Sequence, residues 1–230
     1  MARKTFAKAQ EDMNNKQSGD YVKSFYIKRS GTSEFVKFLE TDINKMEIRS
    51  VHNVAMTSPK TGKTYYTLVD SLENSDILVK ESMKKGSAVG KVRDMVFIPL
   101  IKLYNSEGEF EPSYEVLARS VAWMANNLVG FEARYGLEGV IEVQRTGTGT
   151  STNYTLYDAR KGMNGQDLPE LPSIEQLKAD FEVKDDDIVG RNTSLVKTWD
   201  EEMCERFIET GSPYVQKEEE KEEAPRRRNF

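Results

Sequence analysis

Alternating apolar and polar residues run from about residue 20 to residue 160, and this pattern predicts a series of β-strands. The segment YVKSFYIKR is aromatic and alternating, SGTS follows as a turn, and EFVKFLE predicts a second strand. Third and fourth strands are expected in MEIRSVHNVAM and TYYTLVDSL, joined by the loop SPKTGK. The apolar segment DMVFIPLIKLY predicts a fifth strand, and Pro99 within it indicates a sheet edge or a bulge.

A helical period replaces the alternation after this strand. Apolar residues recur there at spacings of three and four residues, which predicts a helix over 114–128. These residues are Leu117, Val121, Met124 and Leu128. The segments VIEVQRT and NYTLYDAR then predict a hairpin around the turn GTGTST. Several strands, one inserted helix and a closing hairpin are typical of a mainly β, five-stranded, OB-like barrel.

The chain is expected to have five parts. Residues 1–19 form a flexible amino-terminal arm, residues 20–160 the OB-like domain, and residues 161–172 a linker that contains Pro and Gly. Residues 173–211 are predicted to form an extension of short helices, and residues 212–230 a disordered, charged tail. Helix ends in the extension are indicated by Ser173 with Gln176, by Thr198 with Glu201, and by Gly211.

Charge is divided unevenly along the chain. The net charge is −5 over 230 residues, which is unfavourable for a partner that is itself an anion. Residues 1–160 hold 22 Lys and Arg against 20 Asp and Glu, a net charge of +2. Residues 161–230 hold 11 against 18, a net charge of −7, so the acidity belongs to the carboxy-terminal part.

Composition excludes most catalytic and metal-binding chemistry. His52 is the only histidine and Cys204 the only cysteine, which excludes an internal disulfide and a Cys/His zinc site. The sequence has no GxSxG or GxGxxG motif, and the GKT at residues 62–64 lacks the first glycine of a phosphate-binding loop. We therefore expect no enzyme, no cofactor and no metal.

The apolar segments of the sequence are too short to cross a membrane, and this predicts where the protein is located. None approaches the roughly 20 residues that cross a bilayer. The amino terminus has basic residues but no apolar core of a signal peptide. We expect a cytoplasmic protein without a membrane partner, and the question of a homo-oligomer stays open.

Aromatic and basic residues alternate along several strands, as binding of single-stranded nucleic acid requires. Tyr26 shares a strand face with Lys28, and Phe35 shares one with Lys37, so these two rings are predicted to stack on bases. The candidate nucleic-acid-binding residues are Lys23, Tyr26, Lys28, Arg29, Phe35, Lys37, Lys60, Lys63, Tyr65, Lys102, Tyr104, Arg145 and Arg160.

An ordinary strand with one buried face shows a similar pattern, and many of these aromatic rings are expected in the core. Of the adjacent pair Tyr65 and Tyr66, at most one member can be buried, because neighbours on a strand point to opposite faces. Trp123 lies off the centre of the predicted helix's apolar face, so we expect it to be half-exposed at the end of the barrel.

The order of these motifs resembles that of phage single-stranded DNA-binding proteins with an OB fold. DYVKSFYIKRSGTSEFVKFLE resembles the opening strands, SVHNVAM with TYYTLVD the next hairpin, and MVFIPLIKLYNSEGE the apolar strand that follows. ARYGLEGVIEVQRTGTGTSTNYTLYDAR resembles the closing hairpin and is the most specific part of the match. The resemblance covers about residues 20–160.

This resemblance implies sequence-independent binding of single-stranded DNA in phage DNA replication or recombination, in the host cytoplasm. Many relatives carry zinc-binding cysteines after the fourth strand, whereas residues 74–93 contain none, so this chain is expected to be metal-free. The resemblance also implies a tail that recruits replication proteins, formed by Glu218, Glu219, Glu220, Glu222, Glu223 and the terminal Phe230. Three arginines at 226–228 interrupt that tail.

A second function fits the same pattern. An OB-like adaptor that binds proteins of the host or phage replication or transcription machinery would have the same strands and the same tail. The small net charge of +2 over residues 1–160 favours this alternative more than a strongly basic domain would.

Overall fold

The computed structural model describes residues 22–58, 61–70, 75–183 and 195–214. Within these ranges nine strands form one mixed sheet, and we number them in chain order. They are β1 (Lys23–Ser24), β2 (Ser33–Phe38), β3 (Glu47–Thr57), β4 (Thr64–Asp70), β5 (Arg93–Tyr104), β6 (Phe110–Ser120), β7 (Ile141–Thr146), β8 (Asn153–Asp158) and β9 (Val196–Lys197). The predicted amino-terminal arm, Lys60 and the acidic residues of the tail lie outside the described residues.

Four helices accompany the sheet in the described part of the chain. They are α1 (Ser75–Ser82), α2 (residues 121–135, with a π-helical turn at Met124–Leu128), α3 (Ile174–Asp180) and α4 (Glu201–Thr210). None of them combines the length with the apolar character that a membrane span needs.

Strand β5 is the centre of the sheet. It pairs with β6 along one edge, and with β3 and then β2 along the other. Residues 96–101 are all buried, which explains why this strand is a continuous apolar run rather than an alternating one. Pro99 was predicted at an edge or a bulge, but it lies in this central strand. It falls between the last residue paired with β3, Phe97, and the first paired with β2, Leu100, where no ladder bond needs its missing N–H.

The strand order is β8-β7-β2-β5-β3-β4-β9, while β6 pairs with β5 and with β1. The prediction of a mainly β chain is confirmed. The sheet is not closed into a barrel, because strand pairing does not join β8 or β9 to another edge.

The helix predicted over 114–128 begins later than its period indicated. Strand β6 continues to Ser120 because it pairs with β5 along most of its length, and α2 occupies residues 121–135. The Ser120 side chain accepts a hydrogen bond from the Trp123 amide and caps the helix. Trp123 is buried rather than half-exposed, and its indole nitrogen donates to the Tyr154 carbonyl at 2.8 Å.

The main core lies between the inner face of the sheet and α2. Strands β2, β5, β6, β7 and β8 contribute alternate residues, as the sequence pattern predicts. The buried members include Val36, Phe38, Val96, Ile98, Leu100, Leu117, Leu128, Ile141, Val143, Tyr154 and Leu156.

A second cluster covers the opposite face of β2 and β5. Leu177 and Phe181 pack there against Phe35, Ile101 and Leu103. Residues 161–172, predicted to be a linker, also lie against this cluster through partly buried Met163, Leu168 and Leu171. Residues 161–183 therefore form a layer over this face of the sheet.

The helix ends of the carboxy-terminal segment agree in part with the sequence. Helix α3 follows Ser173, whose hydroxyl accepts from the Gln176 amide at 3.2 Å, as predicted. Helix α4 is capped by Asp200 rather than by Thr198, and Gly211 ends it with a φ of 76°. With Trp199 and Cys204, α4 buries the side of β3 and β4 that α1 also covers.

Candidate nucleic-acid interface

Two aromatic rings predicted to bind bases are buried. Phe35 and Tyr104 are only 7% and 3% exposed, and their ring centroids lie 5.6 Å apart. Burial also raises the pKa of the Tyr104 hydroxyl. Phe35 does point away from the main core, as its alternation with Val36 predicts, but the layer that contains α3 covers that face. Neither ring has a free face for stacking, so their assignment to the interface is corrected.

Two of the predicted lysines are also partly buried. Lys102 lies 3.1 Å from the Glu34 carboxylate, and both side chains are 16% exposed. Burial lowers the pKa of Lys37, although the nearby Glu138 acts in the opposite direction. These lysines contribute to the folded sheet, and the structure does not place them on an open surface.

The segment that follows β1 presents the predicted alternation. Phe25 and Ile27 are buried in the main core, while Tyr26 is 57% exposed. Lys28 and Arg29 are exposed beside it. The face on which Tyr26 lies therefore agrees with its sequence pattern, and its role in binding stays a prediction.

Arg145 of β7 fixes this segment in place. It is only 7% exposed, and one terminal nitrogen, Nη1, donates to the Tyr26 hydroxyl at 2.7 Å and to the carbonyls of Ile27 and Lys28 at 2.6 and 2.8 Å. Its guanidinium carbon lies 5.0 Å from the centroid of the Tyr26 ring. Arg145 therefore positions the exposed ring that the sequence predicted to stack on bases.

The turn between β7 and β8 closes beside Arg145. Gly147 has a φ of 75°, and a Cβ atom there would collide with the Ser151 carbonyl, so this conformation requires glycine. The turn brings the Thr152 hydroxyl to 3.3 Å from the Nη2 atom of Arg145. The Gly/Thr-rich sequence thus serves the shape of the turn and holds one more contact to the guanidinium.

Two further residues of this region, Tyr154 and Arg119, were not among the predicted site residues. Tyr154 is fully buried, and its hydroxyl accepts a hydrogen bond from the Ile27 amide at 3.0 Å. The guanidinium carbon of Arg119 lies 3.7 Å from the centroid of the Tyr154 ring. Arg119 lies two residues after the buried Leu117 on β6 and shares its face, but the helix predicted for this stretch concealed that relation.

The β3–β4 hairpin carries a second set of exposed rings. Tyr65 and Tyr66 point to opposite faces, yet they are 47% and 69% exposed, so neither is buried at this end of the hairpin. Lys63 is exposed beside them, after the turn at Gly62. Tyr66 was not among the predicted site residues, whereas Tyr65 was.

Arg160 lies apart from the Tyr26 surface. It follows β8 and lies 3.9 Å from Asp158. Strand β8 continues from Tyr154 to Asp158, roughly 13 Å, before the chain reaches Arg160. The structure does not bring Arg160 together with Arg145.

The sole cysteine and the sole histidine are both buried. Burial and the acidic neighbours Asp200, Glu201 and Glu205 raise the pKa of the Cys204 thiol to about 11, which keeps it protonated at neutral pH. His52 is fully buried with Nδ1 at 2.8 Å from the Gly90 carbonyl. Among the residues that the structure describes, no three His, Cys, Asp or Glu side chains are grouped as metal ligands.

Comparison with known proteins gives no relative. No family model matches the sequence, and no curated protein or solved structure gives a match. Side-chain geometry and the sequence motifs are therefore the basis on which a function is proposed.

Replacing Arg145 should destabilise the protein. We expect Arg145→Met to lower the free energy of unfolding by about 3 kcal/mol, because buried carbonyls of Ile27 and Lys28 lose their donor. Urea denaturation measures the change. Arg134→Met removes an exposed arginine from α2 and should change stability by less than about 0.5 kcal/mol. Equal stability of the two variants would contradict the role given to Arg145.

Proposed function

We propose that this protein binds single-stranded DNA without sequence preference. The observation that carries the proposal is the exposed ring of Tyr26, which lies against the Arg145 guanidinium and beside exposed Lys28 and Arg29. Stacking of bases on aromatic rings, together with phosphate contacts from cations, is how proteins bind single strands of any sequence. Tyr65, Tyr66 and Lys63 supply a second element of the same chemistry.

The strand connections support an OB-like arrangement of β2, β5, β6, β7 and β8. Strand β2 pairs with β5 and β7, β5 with β6, and β7 with β8, while α2 joins β6 to β7. In this arrangement the β3–β4 hairpin is an insertion in the first loop of the fold. The β7–β8 turn is its last loop. These are the two loops through which OB folds bind oligonucleotides, and they lie next to the exposed tyrosines.

In this chain the outer face of β2 and β5 is covered, so it offers no open surface for binding. Ile101 and Leu103 of β5 lie under α3 and the residues before it. We therefore assign binding to the two loops and the segment at Tyr26, and not to the face that bears Phe35. This choice follows from the covering layer, which the motif resemblance did not imply.

The motif resemblance suggests a biological setting for this binding. It favours a role in phage DNA replication or recombination, in the cytoplasm of the host. The acidic residues before Phe230 would then recruit replication proteins, since acidic segments act as interaction tails.

A salt-dependent titration with fluorescent oligo-dT tests the function. The exposed cations of the proposed surface are Lys23, Lys28, Arg29 and Lys63. If each neutralises one phosphate, the logarithm of affinity should fall with the logarithm of salt at a slope of about −2.8. Affinity would then drop about fifty-fold between about 50 and 200 mM salt. Binding that is absent at low salt, or independent of salt, would overturn the proposal.

The exposed tyrosines should contribute individually to this affinity. We expect Tyr26→Ala and Tyr66→Ala each to weaken oligo-dT binding by about 1–3 kcal/mol, because each removes a stacking face. Tyr26→Phe keeps the ring but loses the hydroxyl that contacts Arg145, so its affinity should stay close to that of the native protein.

Tyr214→Ala is the matched control, since Tyr214 is 54% exposed but lies after α4. It should leave affinity unchanged. If Tyr26→Ala and Tyr66→Ala lower the melting temperature while binding stays intact, the two rings serve the fold and not the ligand.

The second candidate function is an OB-like adaptor for proteins of replication or transcription. A cleft of about 360 Å³ favours it, lined in part by Ala55, Val89, Phe207 and Ile208. Ile208 is 38% exposed there, which gives a protein partner an apolar contact. The oligo-dT titration separates the two functions, because an adaptor of this kind would show no affinity for the oligonucleotide at low salt.

A further inference from the structure

Arg119 and Arg145 lie around the same few residues, and neither forms an ion pair with a carboxylate in the part of the chain that the structure describes. The acceptors of Arg145 are all neutral: the Tyr26 and Thr152 hydroxyls and two backbone carbonyls. Arg119 lies on the ring of Tyr154, whose hydroxyl bonds Ile27, the residue that also accepts from Arg145. In the described part of the chain, arginine ion pairs are formed by Arg49, Arg160 and Arg206 instead.

This arrangement is costly for the free protein. The Nε atoms of both arginines are buried without a hydrogen-bond partner. Burial lowers the pKa of Arg119, Tyr154 acts in the opposite direction, and the charge of Arg145 again lowers it. Arginine nevertheless stays protonated in proteins, so two positive charges act on each other here, and no ion pair among the described residues offsets them. The surrounding hydroxyls, carbonyls and rings keep the two guanidinium groups in place. A bound anion would reduce the repulsion between their charges.

We propose that Arg119 and Arg145 form a phosphate-binding subsite, entered from the surface that carries Lys28 and Arg29. A guanidinium group presents parallel N–H donors that match two oxygens of a phosphate, which makes arginine the preferred partner of this group. The nucleic-acid source of the phosphate rests on the proposed function, whereas the subsite itself rests on the two guanidinium groups.

Two sources of the phosphate differ in charge. An internal phosphodiester carries one negative charge, whereas a phosphate at a strand end carries about −1.5 to −2 near neutral pH. Both match the chemistry of the subsite. Oligonucleotides with and without terminal phosphates distinguish them.

Inorganic phosphate is the first probe, because it needs no nucleic acid. Melting temperatures of the full chain are measured in sodium chloride and in sodium phosphate at matched ionic strength. Phosphate stabilises all proteins slightly by exclusion, and a specific site adds a saturable increase. We expect the saturable increase in the native protein and in Arg134→Met, and its loss in Arg119→Met. An equal response of all three proteins would overturn the subsite.

Oligo-dT with a 5′-phosphate, a 3′-phosphate or neither is the second probe. If the subsite holds a backbone phosphate, the three oligonucleotides bind alike, and Arg119→Met reduces the magnitude of the salt slope by about 1. If it holds a strand end, one phosphorylated form binds about tenfold more tightly than the unphosphorylated form, and Arg119→Met removes that preference. Arg119→Met with an unchanged slope and unchanged preferences would overturn the subsite as a nucleic-acid contact.

The two proposals fail separately. Absence of oligo-dT binding together with an Arg119-dependent phosphate response would reject the proposed function and retain the subsite. Oligo-dT binding without an Arg119-dependent phosphate response would retain the proposed function and reject the subsite. If Arg119→Met does not fold, Arg119→Lys replaces it, because lysine keeps the charge but loses the paired donors. We expect Arg119→Lys to weaken the phosphate response at least threefold, and a native response would overturn the subsite.

Discussion

The guanidinium group of Arg145 joins two parts of the chain that are more than a hundred residues apart, and the proposed site depends on this contact. On one side, β1 pairs with β6 through backbone hydrogen bonds. The Phe25 amide extends this pairing by donating to the Val116 carbonyl at 2.8 Å. On the other side, side chains replace the backbone ladder: Arg145 donates to the carbonyls of Ile27 and Lys28, and Tyr154 accepts from the Ile27 amide. We call this junction of residues 25–28 with Arg145 and Tyr154 the seam. Its backbone groups bond to an arginine and a tyrosine side chain instead of to a neighbouring strand.

The residues that fix the segment after β1 in the fold are also those of the proposed binding site. An ordinary strand pair uses its backbone groups and leaves little charge between the strands. Here the seam contains a guanidinium from β7 and another from β6, and it holds the ring of Tyr26 outward. The layer formed by residues 161–183 covers the other face of β2 and β5, whereas the ring of Tyr26 beside the buried seam stays exposed.

Local patterns in the sequence predicted those features that depend on near neighbours. The β7–β8 hairpin follows from alternation around a Gly/Thr turn, and the exposure of Tyr26 follows from its position between Phe25 and Ile27. The start of α2 could not be found in this way, because Leu117 fits both a strand face and a helical period. Pairing with β5, a contact between distant parts of the chain, decides between the two.

The burial of Phe35 has the same kind of cause. Its alternation with Val36 indicates only which side of β2 it takes. Whether that side is open depends on Leu177 and Phe181, which are distant in sequence and gave no local signal near Phe35. Arg119 lies in the stretch that was predicted to be helical. The sequence therefore gave no indication that its guanidinium group lies near that of Arg145 on another strand.

Hydrogen–deuterium exchange of the full chain, with and without oligo-dT, tests most directly where the ligand lies. We expect slower exchange on binding in residues 25–32, in the β7–β8 turn and at the end of the β3–β4 hairpin, with residues 161–183 unchanged. Slower exchange confined to residues 161–183, or faster exchange there with the seam unchanged, would contradict it and return the site to the face that bears Phe35.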